Sequence, residues 1–177
     1  AAFDFGVNSG VSRGAKALQA AVGAAQDGAV GPVTVERAAK ADPVAVVKSI
    51  CARRLSFVRG LSTWGTFGRG WARRIADVEA KGVKMALVAS GAGAASLMAA
   101  MQAGADGAQK RADRHGETGG IIGTAGPAAA GAEVLTGDVN WLIVGGVALA
   151  AVALFVAHRS RSLIHRDRAA AYLENMG

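Results

Sequence analysis

Cysteine is almost missing from this chain. Cys51 is the only one, so no internal disulfide can staple the fold. It falls on the apolar stripe of a predicted helix, where a free cysteine acts as a small hydrophobe rather than a nucleophile. Aromatic residues make up only 5% of the sequence, and the single tyrosine, Tyr172, stands almost at its end. β-branched runs are few, which removes the usual material of a sheet. His115, His158 and His165 are dispersed, so no metal-ligand spacing arises and no cofactor is expected. The glycines never follow a strand in a phosphate-cradling pattern, which excludes a nucleotide loop.

Alanine dominates what is present, and alanine is the best helix former, so the expected fold class is all-α. A length of 177 residues allows one compact domain with an appendage. The net charge is +7, and the basic residues cluster before about residue 82 and again after Ala157. Such a head could meet nucleic acid, anionic lipid or the acidic bacterial wall, since each is a polyanion. The sequence opens Ala1-Ala2-Phe3-Asp4 with no initiator Met and no leader pattern, as if inside a helix. A fragment of a longer protein is expected.

Helical periodicity organises the first 82 residues. Phe3 and Val7 share one face and Asp4 and Asn8 a neighbouring one, with Gly10 ending the helix. Ala15, Leu18 and Val22 follow, with Ser12 as the expected cap. Asp27-Gly28-Ala29-Val30-Gly31-Pro32 reads as a tight loop before a helix started by proline. Asp42-Pro43 repeats that start, opening the stripe Val44, Val47, Ile50, Cys51, Leu55, Val58 and Leu61. Trp64 to Trp71 is rich in glycine and is expected to be a connection. Beyond it, Trp71, Ile75 and Val78 line a helix with Arg73, Arg74, Asp77 and Lys81 outside. Glu36, Asp77 and Glu79 read as solvated helix faces.

Residues 83–104 are expected to be an Ala/Gly-rich helix or linker, and residues 105–139 a flexible tether without periodicity. Trp141 to Ala157 is an uncharged run at the short end of what spans a bilayer, so 140–158 is read as one transmembrane helix. Arg159, Arg161, Arg166 and Arg168 follow in a basic tail, 159–177. By the positive-inside rule the tail is cytoplasmic and the globular part periplasmic, at a bacterial inner membrane.

The segments Phe3-Asp4-Phe5-Gly6-Val7-Asn8-Ser9-Gly10, Ala17-Leu18-Gln19-Ala20-Ala21-Val22-Gly23 and Asp27-Gly28-Ala29-Val30-Gly31-Pro32 come in an order that resembles one family. So do Cys51-Ala52-Arg53-Arg54-Leu55-Ser56-Phe57 and Phe67-Gly68-Arg69-Gly70-Trp71-Ala72-Arg73-Arg74. It is the glycosyl hydrolase family 108 N-acetylmuramidases with their peptidoglycan-binding domain, of phage-type endolysins. The resemblance covers residues 1 to about 82.

The resemblance implies a lysozyme-like helical domain and hydrolysis of the β-1,4 bond from N-acetylmuramic acid to N-acetylglucosamine. Such chemistry needs a carboxylic acid whose pKa its pocket raises. The family carries it in Glu-Gly-Gly, which this sequence lacks, so the catalytic Glu is expected upstream of Ala1 and this chain alone to be inactive. The candidate substrate-binding residues are Asp4, Asn8, Asp27, Trp64 and Arg69. Asp4 reads as a cleft residue or as a bond between helices, and Asp27 as a glycan contact or a shaper of its own turn. Trp64 could stack on a sugar or tuck under the core, while Trp71 reads as core. The expected partners are peptidoglycan and the inner membrane, with no nucleic acid. The rival readings are a non-catalytic, membrane-anchored peptidoglycan-binding protein and a holin-like protein using Met85–Ala103 as a further span.

Overall fold

A computed structural model describes residues 1–131 and 141–176. The side chains at 115–131, 141–149, 151, 155 and 158 lie outside the description. Every element among the described residues is an α-helix: α1 Ala2–Ser9, α2 Val11–Ala21, α3 Pro32–Lys40, α4 Pro43–Arg59, α5 Trp64–Ala89, α6 Ala94–Gly131 and α7 Trp141–Glu174. The all-α expectation holds.

Local chemistry sets the boundaries. Gly10, at φ 102°, separates α1 from α2 and leaves α2 without the side-chain cap expected from Ser12. Pro32 and Pro43 open α3 and α4, where their fixed φ suits the first turn and their missing N–H costs nothing. The Asp42 carboxylate caps α4, accepting the Val44 N–H at 3.0 Å.

The chain forms two compact units. The first joins Ala1–Ala105 to Asp167–Gly177, and the second is Asp106–Arg166. Three apolar clusters build the first unit. Phe5, Ala17 and Ile50 bring α1 and α2 onto α4. Cys51, Val58 and Ile75 join α4 to α5, with Trp64 and Trp71 against them. Ala76, Ala80, Val83, Met101, Ala105, Ala171 and Tyr172 join α5 to the first turns of α6 and the last turns of α7. In the second unit Ala108 and Ala112 of α6 and Ser162 and Ile164 of α7 are buried.

Several sequence expectations need correcting. The glycine-rich stretch from Trp64 to Trp71 is helical, forming the first turns of α5. A Cβ at Gly68 would sit 2.5 Å from the Trp64 ring, so glycine is what lets that indole lie along its own helix. The first unit extends beyond the first 82 residues, because residues 101–105 and 167–172 complete its core. Residues expected as tether are helical as far as Gly131. Met101, Ala105, Ala108 and Ala112 are all buried at spacings of four, three and four, a helical stripe made of small residues. The tether's remainder, 132–139, lies outside the described residues.

Among the described residues no helix is long and apolar enough to cross a membrane. The expected span, Trp141–Ala157, falls on α7 where most side chains are outside the description.

Candidate functional site, a surface strip on α5

Helix α5 buries Ala72, Ile75, Ala76, Glu79, Ala80 and Val83. Its period therefore turns positions 64, 71, 67, 74, 70, 77 and 73, in angular order, toward one side as a continuous strip. Three aromatic rings occupy one end. Phe67 packs on Trp71 with centroids 5.7 Å apart, and Trp64 lies 6.5 Å from Trp71. Both tryptophans are half-buried against the core, while Phe67 is 54% exposed. At the other end a cavity of about 570 Å³ opens between α5 and the last turns of α7, lined by Gly70, Arg73, Arg74, Asp77, Asp167, Ala170, Ala171 and Glu174.

Ion pairs fix this arrangement. Arg74 Nη2 donates to Asp4 Oδ1 at 2.5 Å, and the buried Arg54 donates to the other carboxylate oxygen, tying α1 to α4 and α5. Burial works to raise the Asp4 pKa. The hydrogen bonds and positive charges of Arg74 and Arg54 outweigh it and hold the carboxyl below the usual range. Asp77 accepts from Lys81 at 2.8 Å and from Asn175 at 3.3 Å. The Lys81 bond chiefly draws its pKa down as well, against burial.

Behind the strip, Glu79 is 3% exposed and so not the solvated residue expected from sequence. Arg168 Nε donates to Glu79 Oε1 at 3.0 Å and Arg168 Nη2 donates to the same oxygen, as does the Tyr172 hydroxyl at 2.8 Å. Burial, the Glu79 charge and this bond all push the Tyr172 pKa up. The Gly104 backbone presses on the same ring, where a Cβ would stand 2.5 Å from Cε1. Burial and Glu79 also raise the Cys51 thiol to about 12, so it is inert at neutral pH.

The structure brings some expected site residues together and separates others. Asp4 reaches the strip through Arg74, and Asn8 bonds back to the Asp4 carbonyl at 2.7 Å and its Oδ1 at 3.4 Å. The bonding reading of Asp4 is the one its geometry displays. Trp64 belongs to the aromatic end. Arg69 is exposed about 200° round the helix from Phe67, away from the strip. Asp27 stands apart in the α2–α3 loop, where Oδ1 accepts the Ala29 N–H at 2.9 Å and Gln19 Nε2 at 2.6 Å. The Ala29 N–H and then Gln19 lower its pKa, and these bonds shape the loop. Gln19, 1% exposed, also takes the Gly28 N–H on Oε1 and donates to the Ala29 carbonyl.

Sequence reasoning gave Phe67 no role in the site and read Glu79 as solvated. The signal for Phe67 was its spacing from Trp64 and Trp71, three and four residues, obscured by the intervening glycines. No described group of three or more His, Cys, Asp or Glu could hold a metal. No known protein family, curated protein or solved structure matches the chain.

Proposed function

We propose that the first unit is a peptidoglycan-binding head, the closing part of a family 108-like, lysozyme-like muramidase, attached to a bacterial inner membrane through residues 141–157. One observation carries the binding half of this reading. The exposed Phe67, backed by Trp64 and Trp71, runs along α5 into a cavity that offers guanidinium and carboxylate groups. Aromatic rings pack on the apolar faces of sugars, and arginines pair with the carboxylates of wall peptides. A glycan strand with charged stems matches both ends of the strip at once.

None of Asp4, Asp27, Asp77 and Glu79 suits the general acid role that hydrolysis needs. A general acid requires a raised pKa and access to the leaving oxygen. Asp4, Asp27 and Asp77 are all shifted the other way, and Glu79 is locked between Arg168 and Tyr172. In the family's pattern the acid would come from a segment carrying Glu-Gly-Gly. Phe3, Val7 and Val11 are 84%, 68% and 80% exposed, an apolar face such a segment could cover.

The test is a pulldown of the full chain on purified sacculi, with release of soluble muropeptides followed in the same tube. Binding without release is expected. Phe67→Ala should weaken binding by roughly five-fold, the equivalent of about 1 kcal/mol for one stacked ring. Equal binding by the variant would remove the aromatic strip from the proposal, and muropeptide release would show that a carboxylate of this chain is catalytic.

A further inference from the structure

The polypeptide leaves the first unit at Ala105 and rejoins it at Asp167. The return is firm. Tyr172 is 1% exposed and Ala171 4%, both inside the cluster formed with Ala76, Ala80, Val83, Met101 and Ala105. Arg168 and Tyr172 bond the buried Glu79. A lone crossing by Trp141–Ala157 would put Glu79 and its two partners on opposite sides of a bilayer. Residues 106–166 must then cross an even number of times or enter and leave by the same face.

Helix α7 has the surface that lipid requires. Ala150, Val152, Ala153, Leu154, Val156 and Ala157 are all exposed and together cover about 200° of the helix circumference. Val152, Leu154 and Val156 are each more than half exposed, at 60%, 51% and 56%. An exposed apolar surface that wide marks an interaction site rather than a face for water. The uncharged stretches are Thr118–Gly131 on α6 and Trp141–Ala157 on α7. At 1.5 Å per residue they are about 21 and 25 Å long, short of the about 30 Å hydrocarbon core. Exposed Lys110, Arg111 and Arg114 precede the first, and exposed Arg159, Arg161 and Arg166 follow the second. Each stretch thus has three cations near its outer end, suited to anionic headgroups, with Asp113 and Glu117 interspersed at the first.

Building on the membrane attachment proposed above, we infer that residues 106–166 enter an anionic bilayer as a helical hairpin whose two ends stay on one face, together with the head. This replaces the single-crossing arrangement, with head and tail on opposite sides. The wall-binding reading requires that shared face to be the outer one.

The test uses the full chain in bacterial inner membranes, with single cysteines introduced by Arg53→Cys on α4 and Leu173→Cys on α7, both exposed. Buried Cys51 serves as the internal control, reacting only after denaturation. Membranes are washed with alkaline carbonate, and spheroplasts are treated with an impermeant maleimide before and after permeabilisation. The expected result is retention in the washed membranes with both cysteines labelled under the same condition. Labelling of the two under opposite conditions would overturn the hairpin while leaving the membrane attachment standing. Release of the protein by carbonate would overturn the attachment and the hairpin with it.

Discussion

Glu79 is buried, and its carboxylate pairs with Arg168 and accepts the Tyr172 hydroxyl. Removing either partner of a buried pair leaves an uncompensated charge, which costs more than the intact pair contributes. Glu79→Ala and Arg168→Ala should each destabilise the first unit by about 3 kcal/mol in urea unfolding, and the double variant by clearly less than their sum. Additive losses would mean that the two act apart. Asp4 imposes a pH dependence of definite sign. Its carboxyl titrates lower folded than unfolded, so its stabilisation is complete above the ordinary carboxylate value and disappears as pH falls through the folded one. The melting temperature should drop below about pH 4. Asp4→Asn should lower stability at neutral pH and flatten that acid limb, which melts across pH 2–7 would read out.

At the scale of the element, α6 meets Tyr172 of α7 through a glycine, Gly104. Gly104→Ala would favour an isolated helix by about 1 kcal/mol. Here the added methyl enters the Tyr172 ring. A lower melting temperature is expected, together with a tyrosine that becomes open to solvent, followed by its absorbance. A rise in melting temperature would mean that α7 does not dock on α6 at this point. Much of the element pattern was legible beforehand, since prolines 32 and 43 and Gly10 mark true boundaries and the α4 stripe is the buried one. Arg54 could also have been suspected, because it lies four residues after Ile50 and four before Val58, both buried. Its partner could not, since Asp4 is fifty residues away and no local spacing links them. The start of α5 was misread because Gly65, Gly68 and Gly70 disfavour a helix, while the tryptophans between them favour it by packing on the core.

For the whole molecule, the candidate site was half visible in the sequence. Trp64 and the arginines advertised themselves by type. The closing wall, from Asp167 to Glu174, carried only the signature of a charged tail. What hid it is that a core can draw on segments distant in sequence, and hydropathy patterns see only neighbours.

That same distance imposes an order in time. Arg168 stands 89 residues after Glu79. At roughly 5–20 residues per second of synthesis, Glu79 waits several seconds or more as a solvated carboxylate before its partner exists. Throughout that interval α5 presents an incomplete core, and every residue of the two long helices emerges before the core can close. The apolar stretch of α7 thus emerges before the head reaches its final form.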